Sequence, residues 1–304
     1  MQITFRQLRL FQALAETGSV TAAARVMHVS QPTASMQLRD VSNAVGLPLY
    51  EVVSRRVRLT DVGHDLARTA RCIANEWDSF EQKIDQFKGR KRGKLRVSVV
   101  STAKYFVPRL LGSFCAIYPE IEIALEVLNR DGVLHRLREN MDDLCIMSMP
   151  PSDIALIDQV FMPNPLVVIA KHGHPLSRQQ PIALEDLRSE RFILRELGSG
   201  TRMTIDAFFK RQGFKPQLRL ELGSNEAIKE AVAGGLGISV ISLHALPANA
   251  ADQTVTILDV NGFPVHSNWH LVYQAGRQLS PIAQAFHDHL FAESKTWPDK
   301  AREE

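Results

Sequence analysis

TAAARVMHVSQPTASMQLRDV, residues 21–41, reads as two short helices joined by a tight turn. Ala22, Ala23 and Ala24 are small enough for close helix crossing, and Val26 and Val29 supply apolar contacts near the turn. Ser30 is placed as an N-cap, with Pro32 in the first helical turn, where its missing N–H costs little. Thr21 opens the first of these helices. The second offers Gln31, Thr33, Ser35, Gln37 and Arg39, side chains suited to phosphates and base edges, whereas Met36 and Leu38 read as local packing. The pattern predicts a helix-turn-helix reader of duplex DNA. An ordinary alanine-rich helical hairpin is the other reading of the same spacing.

On the N-terminal side, Phe5, Leu8, Phe11 and Leu14 recur at helical spacing and predict a first helix closed near Gly18. On the other side the third helix ends near Gly46, and Leu49 and Tyr50 lead into a short β-wing over 52–59. Its Arg55, Arg56 and Arg58 are expected to face phosphate; a solvated surface cluster is the alternative. Thr60 is the expected N-cap of a long helix. Leu59, Val62, Leu66, Thr69, Ile73, Trp77, Phe80, Ile84 and Phe87 step by three and four, the stripe of a helix seeking a partner helix. A helix packed only on its own domain would show a similar stripe. Lys88 to Lys94, KGRKRGK, reads as a hinge.

Charge follows the same division. Residues 1–92 carry 14 Lys/Arg against 9 Asp/Glu, and residues 93–304 carry 22 against 24. A basic head on a slightly acidic body suits a small DNA-binding domain joined to a domain with another task. No apolar run is long enough to span a membrane and Met1 is followed by no secretory-type segment, so a cytoplasmic protein is expected. Cys72, Cys115 and Cys145 have no metal-ligand spacing and read as buried structural thiols of a reducing compartment.

From Leu95 the periodicity alternates between strands and helices, which predicts an α/β body with a mainly parallel sheet. Two such lobes with a cleft between them are expected: lobe I over about 93–165 and 267–295, lobe II over about 166–266. The complete domain reading is 1–60 for the winged head, 61–92 for the dimerisation helix and hinge, and 93–304 for the effector-binding body. The fold class is α+β multidomain.

Ligands of open α/β sheets gather beyond strand C-termini and at helix N-termini. Ser101 and Thr102 follow the first strand of the body and can hold an anion there, or simply cap a helix. RELGSGTR, 195–202, lies between a strand and a helix. Its Ser199, Gly200 and Thr201 can form an open binding turn, and Arg195 or Arg202 can clamp carboxylate or phosphate, or form an inter-lobe salt bridge. The run lacks a P-loop ending, and GGLG at 234–237 reads as a helix C-terminal turn rather than a dinucleotide fingerprint. His172/His174 and His287/His289 do not make a metal site, and no Ser/His/Asp or paired-carboxylate arrangement supports an enzyme. No cofactor is expected.

The chain resembles the LysR-type transcriptional regulators. The likeness begins at Phe5-Arg6-Gln7-Leu8, runs through Thr21–Val41 to Leu59-Thr60-Asp61-Val62-Gly63, and covers the body almost to Phe291. It implies a winged helix-turn-helix on promoter DNA and a long coiled-coil linker helix pairing subunits. It also implies a two-lobed periplasmic-binding-protein-like domain sensing a small molecule. Within the family, RELGSGTR, ELGSNEAIKEAVAGGLGISVIS (221–242), LDVNGFPV (258–265) and LSPIAQAFHDHL (279–290) are similar to the subgroup controlling RuBisCO and carbon-fixation operons. That implies a small anionic effector such as a phosphorylated sugar, phosphoenolpyruvate or NADPH, held near Ser101, Thr102, Thr201 and Arg202. It also implies a homodimer, then a homotetramer, with RNA polymerase as a further partner. A LysR-type regulator of another metabolic operon, or a solute-sensing module that binds no DNA, are the alternative functions.

The chain departs from the family pattern at the wing, where Val52 and Ser54 replace an arginine and a glycine, removing one phosphate contact or local salt bridge. Leu197 replaces the subgroup's proline, leaving the 195–202 turn less constrained. Ser148 and Met149 stand where related pockets often carry glycine and arginine, so a multiply charged phosphate would be held less strongly.

Overall fold

A computed structural model describes residues 2–53, 56–89, 92–178, 181–246 and 254–295. The chain forms two compact units, one of residues 1–88 with 139–141 and the other of 89–138 with 142–304.

The first unit opens with three helices: α1 (Phe5–Thr17), α2 (Val20–Val26) and α3 (Gln31–Val45). Each begins on a hydroxyl cap. The side chains of Thr4, Ser19 and Ser30 accept from the N–H of Gln7, Ala22 and Thr33. Gly18 ends α1 in the left-handed region at φ 62°, and its carbonyl accepts from Val57 N–H at 3.0 Å. One residue thus stops the helix and anchors the wing, a hairpin of β1 (Tyr50–Val53) and β2 (Arg56–Leu59). Leu10, Phe11, Leu14, Ala23, Ala34, Leu38, Val41 and Leu49 close a single core under these elements.

The 27-residue α4 (Asp61–Phe87) starts at Thr60, whose hydroxyl accepts from Gly63 N–H at 3.1 Å and donates to Pro48 O at 2.8 Å. Leu59, assigned from its spacing to the helical stripe, lies in β2 instead. The small residues Gly63, Ala67, Ala70 and Ala74 are buried. The larger Val62, Ile73, Trp77, Phe80 and Phe87 stand exposed, Phe80 at 51% and Phe87 at 89%.

The second unit contains two five-stranded sheets. The first has β3 (Gly93–Val100), β4 (Ile121–Leu128), β5 (Leu144–Met147), β6 (Leu156–Pro163) and β12 (Asn268–Gln274), in the order β4-β3-β5-β12-β6. The second has β7 (Leu166–Lys171), β8 (Arg191–Arg195), β9 (Gln217–Leu222), β10 (Ile238–Ser242) and β11 (Val255–Leu258), ordered β11-β7-β10-β8-β9. In each sheet four strands run the same way and one is reversed, β12 in the first and β7 in the second, so two strand pairings are parallel and two antiparallel; the mainly parallel expectation holds for strand direction, with one reversed strand that it did not include. Neither β6 nor the four-residue β11 alternates strictly between buried and exposed residues, so alternation did not reveal them.

Helices α5 (Val107–Ile117), α6 (Arg130–Arg138) and α9 (Pro281–Glu293) pack on the first sheet, and α7 (Gly200–Arg211) and α8 (Asn225–Ala233) on the second. The chain crosses between the sheets at 163–165 and 265–267. There Asn164 N–H donates to Ser267 O at 2.8 Å, and Ser242 Oγ donates to Asn164 Oδ1 at 2.6 Å. The GGLG run is the turn ending α8: Gly235 has φ 77°, and a Cβ on Gly237 would fall 2.2 Å from Arg191 O.

Candidate functional site

α3 buries Ala34, Leu38 and Val41 along one stripe, so the opposite face is left to solvent. Pro32, Met36, Arg39, Asp40 and Asn43 are all exposed there. Met36 is 59% exposed at the centre of this face, so its expected packing role is corrected; only Leu38 packs. Gln31 is exposed at the N-terminal end and donates to Ser35 Oγ at 3.1 Å. The Ser30 and Thr33 hydroxyls lie 2.7 Å apart, and Thr33, Ser35 and Gln37 are half-buried on the flanks. Thr21 is exposed on the first turn of α2. The turn between α2 and α3 is made by His28 at φ 52°, with Val29 N–H returning to Ala24 O at 3.0 Å.

Arg56 and Arg58 are exposed on β2, and Val52 is 64% exposed on β1. Arg55 and Ser54 lie outside the described residues, as do Arg90 and Lys91 of the basic linker. The wing and α3 therefore offer exposed guanidinium groups, at Arg39, Arg56 and Arg58, and an exposed apolar centre at Met36.

A cleft with about 260 Å³ of open space lies in the second unit, lined by Val100, Ser101, Thr102, Arg130, Ser148, Arg195, Ser199, Gly200 and Thr201. Its walls are the C-terminal ends of β3, β5 and β8 and the N-terminus of α7. Ser199 caps α7 by accepting from Arg202 N–H at 3.1 Å. Met149 is not among the lining residues; its carbonyl holds Arg130. The turn that Leu197 was expected to loosen is closed by Ser199 N–H to Glu196 O at 3.2 Å, with Gly198 at φ 86°.

Arg195 is 3% exposed and pairs with both oxygens of Glu196, at 2.7 and 2.8 Å. Its guanidinium also donates to Ser101 at 3.1 Å, Thr102 at 3.0 Å and Asn225 at 3.3 Å. Arg202 donates to Asp206, Glu221 and Arg195 O. Both predicted charge donors are thus engaged by carboxylates of the chain itself. A second inter-lobe tie runs beside them, from Tyr105 Oη at 2.6 Å and Lys104 Nζ at 3.0 Å to Glu226. Burial opposes ionisation of Glu226, but the hydrogen bonds from Tyr105 and Lys104 outweigh it and hold the carboxyl down to about 2. Because the folded value is depressed, the tie is present at neutral pH and is lost as pH falls toward 2.

The model of the bacterial regulatory helix-turn-helix protein, lysR family, matches residues 5–64, and that of the LysR substrate binding domain matches 88–295. The chain belongs to the LysR family. It is 44% identical to the transcriptional activator CmpR of Synechocystis over 95% of each chain. It is 42% identical to a RuBisCO operon transcriptional regulator of Acidithiobacillus ferrooxidans, over 96% of this chain and 94% of that one. Its body is similar to the regulatory domain of Synechocystis CcmR in complex with 2-PG, with TM-score 0.64 and 50% identity over 66% of this chain and 97% of that one.

This LysR-family regulator thus joins a DNA-reading head to a ligand-sensing body. Sequence reasoning missed Arg130, Asn225, Tyr105 and Glu226 around the cleft. Tyr105 ends the short helix that starts at Ser101, and Asn225 and Glu226 fall within the 221–242 run, but the contacts among them form only on folding, and Arg130 lies far from both turns in sequence. The Cys145 thiol is buried and accepts from Ser98 Oγ at 3.2 Å; burial pushes it up to about 12, so it is protonated at neutral pH.

The exposed face of α3 makes a definite expectation. Gln31→Ala, if Gln31 reads a base edge, should weaken operator binding by about 1–3 kcal/mol and relax preference at one base pair. Met36→Ala should reduce preference for a thymine methyl without altering the salt dependence. Binding measured across a base-substituted operator series checks both; equal losses on specific and random DNA would assign these residues to backbone positioning.

Proposed function

We propose that this regulator controls carbon-fixation genes and changes its hold on promoter DNA when a small anionic metabolite enters the cleft. The observation that carries the reading is the end-to-end similarity to CmpR and to RuBisCO operon regulators, at 44% and 42% identity. The similarity of the body to a regulatory domain in complex with 2-PG supports a compact phosphorylated acid as ligand. The cleft supplies Ser101, Thr102, Ser148, Ser199, Gly200 and Thr201 to it, with Met149 behind Arg130. Arg195 is proposed to hold the two lobes together through Ser101 and Thr102, and Arg202 to brace lobe II through Asp206 and Glu221, rather than to meet the ligand's charge. Thr21, Ser30, Gln31, Pro32, Thr33, Ser35, Gln37, Arg39 and the wing arginines 55, 56 and 58 are proposed to contact duplex DNA.

The protein works in the cytoplasm as a dimer joined through α4, and the dimers pair into a tetramer spanning two half-sites. The exposed apolar stripe of α4 supports the first step. Binding to fragments upstream of RuBisCO genes, followed by fluorescence anisotropy with and without 2-phosphoglycolate, tests the reading. Affinity should fall by about 10³-fold or more between 50 and 200 mM salt if 6–10 phosphates are contacted. The ligand should shift the footprint. Specific binding to a different operon, with no ligand effect, would favour a regulator of other metabolism.

A further inference from the structure

The charge of an anionic ligand needs a cation that is not already answered by the protein. Arg195 and Arg202 do not qualify, since Glu196, Asp206 and Glu221 engage them at 2.7–3.0 Å. Arg130, on the first turn of α6, lines the same cleft. Its Nε and Nη2 donate to Met149 O at 3.2 and 3.0 Å. Among the described residues no carboxylate lies within salt-bridge distance of it, and the nearby Asp153 is paired with Arg138 at 2.9 Å. A guanidinium held by one neutral carbonyl keeps its charge and further N–H donors for a ligand.

The other wall is built to match. Ser148 and Thr201 are each 6% exposed, line the cleft and have hydroxyls without a hydrogen-bond partner among the described residues. They stand beside the start of the twelve-residue α7, where the first N–H groups have no intrahelical acceptor. A Cβ on Gly200 would fall 2.3 Å from Ser148 Oγ, so the helix reaches that hydroxyl only because residue 200 is glycine.

We propose that Arg130, the Ser148 and Thr201 hydroxyls and the N-terminus of α7 form a cradle for the dianionic phosphoryl group of a short phosphorylated acid. This rests on the reading of the cleft as the effector site. Arg130 brings a guanidinium to the backbone carbonyl of Met149 at the edge of the cleft.

Calorimetric titration of the full-length protein with 2-phosphoglycolate tests the cradle. Arg130→Gln should weaken binding at least 30-fold at pH 7.5. Arg130→Lys, which keeps charge but loses the fork, should fall between. Wild-type affinity should drop as pH falls through about 6, where the phosphoryl group takes up its second proton, and Arg130→Gln should flatten that profile. Ser148→Gly, a smaller change checked by thermal unfolding, should weaken binding about tenfold and guards against misfolding of the arginine variants. The cradle is overturned if Arg130→Lys and Ser148→Gly both bind within twofold of wild type with the same pH profile. It is equally overturned if Arg202→Gln abolishes binding while Arg130→Gln does not. Failure of wild type to bind 2-phosphoglycolate, phosphoenolpyruvate or inorganic phosphate would instead overturn the effector reading beneath it, and the cradle with it.

Discussion

Phe80→Asp is expected to convert the protein to smaller species and to reduce operator affinity by about 100-fold or more. Phe80 is 51% exposed on α4, with its ring 5.7 Å from Trp77, which lies 5.7 Å from Phe5. The small residues on the opposite side of the helix already satisfy its packing within the head. The exposed aromatic stripe is the proposed seam for a second copy, and a carboxylate there would be desolvated without a partner. Loss of the dimer removes the gain from engaging two half-sites on one molecule, worth 10²–10⁴ in general. Light scattering reads the mass and anisotropy reads the affinity. An unchanged oligomer with full operator binding would place the interface elsewhere.

The second large effect is expected at Gly63. A Cβ there would lie 1.9 Å from Leu49 O and 3.3 Å from Leu59 Cβ. The same carbonyl accepts from Thr60 N–H at 3.1 Å, and Thr60 caps α4. Gly63→Ala must therefore push the start of α4 away from the wing, breaking the cap or this bond. A cost of about 1–3 kcal/mol or more in head stability is expected, with weaker DNA binding as the wing shifts. Gly112→Ala is the control: α5 contains this exposed glycine, and nothing lies within 4 Å of its added Cβ. That change should stabilise by about 0.4–1 kcal/mol. Thermal unfolding of the two variants separates a steric clash from a general effect of removing glycine. Equal behaviour would show that the junction yields freely.

Much of the cleft was legible in its parts but not in its wiring. Ser101, Thr102, Ser199, Gly200 and Thr201 line it and are found from strand-to-helix turns, because local backbone chemistry places hydroxyls and glycine there. Arg195 and Arg202 were equally visible as arginines, yet their partners are set by folding. Glu196 is adjacent, but Thr102 and Asn225 arrive from 93 residues before and 30 residues after Arg195. Arg130 carries no local signal at all; only the meeting of α6 with the segment after β5 makes it a wall of the cleft.

The sequence by itself determined the helix-turn-helix, its caps, the wing, the long helix and the alternating body. Those features follow from short-range physics: hydroxyl caps, glycine stops and apolar residues at periods of 3.6 or 2. Tertiary structure alone decided that the sheets are mixed, that Met36 faces outward and that the obvious arginines are already paired. Each of these depends on which strand, helix or carboxylate comes to lie alongside. Such long-range neighbours follow from the packing of whole elements, and no window along the chain contains them.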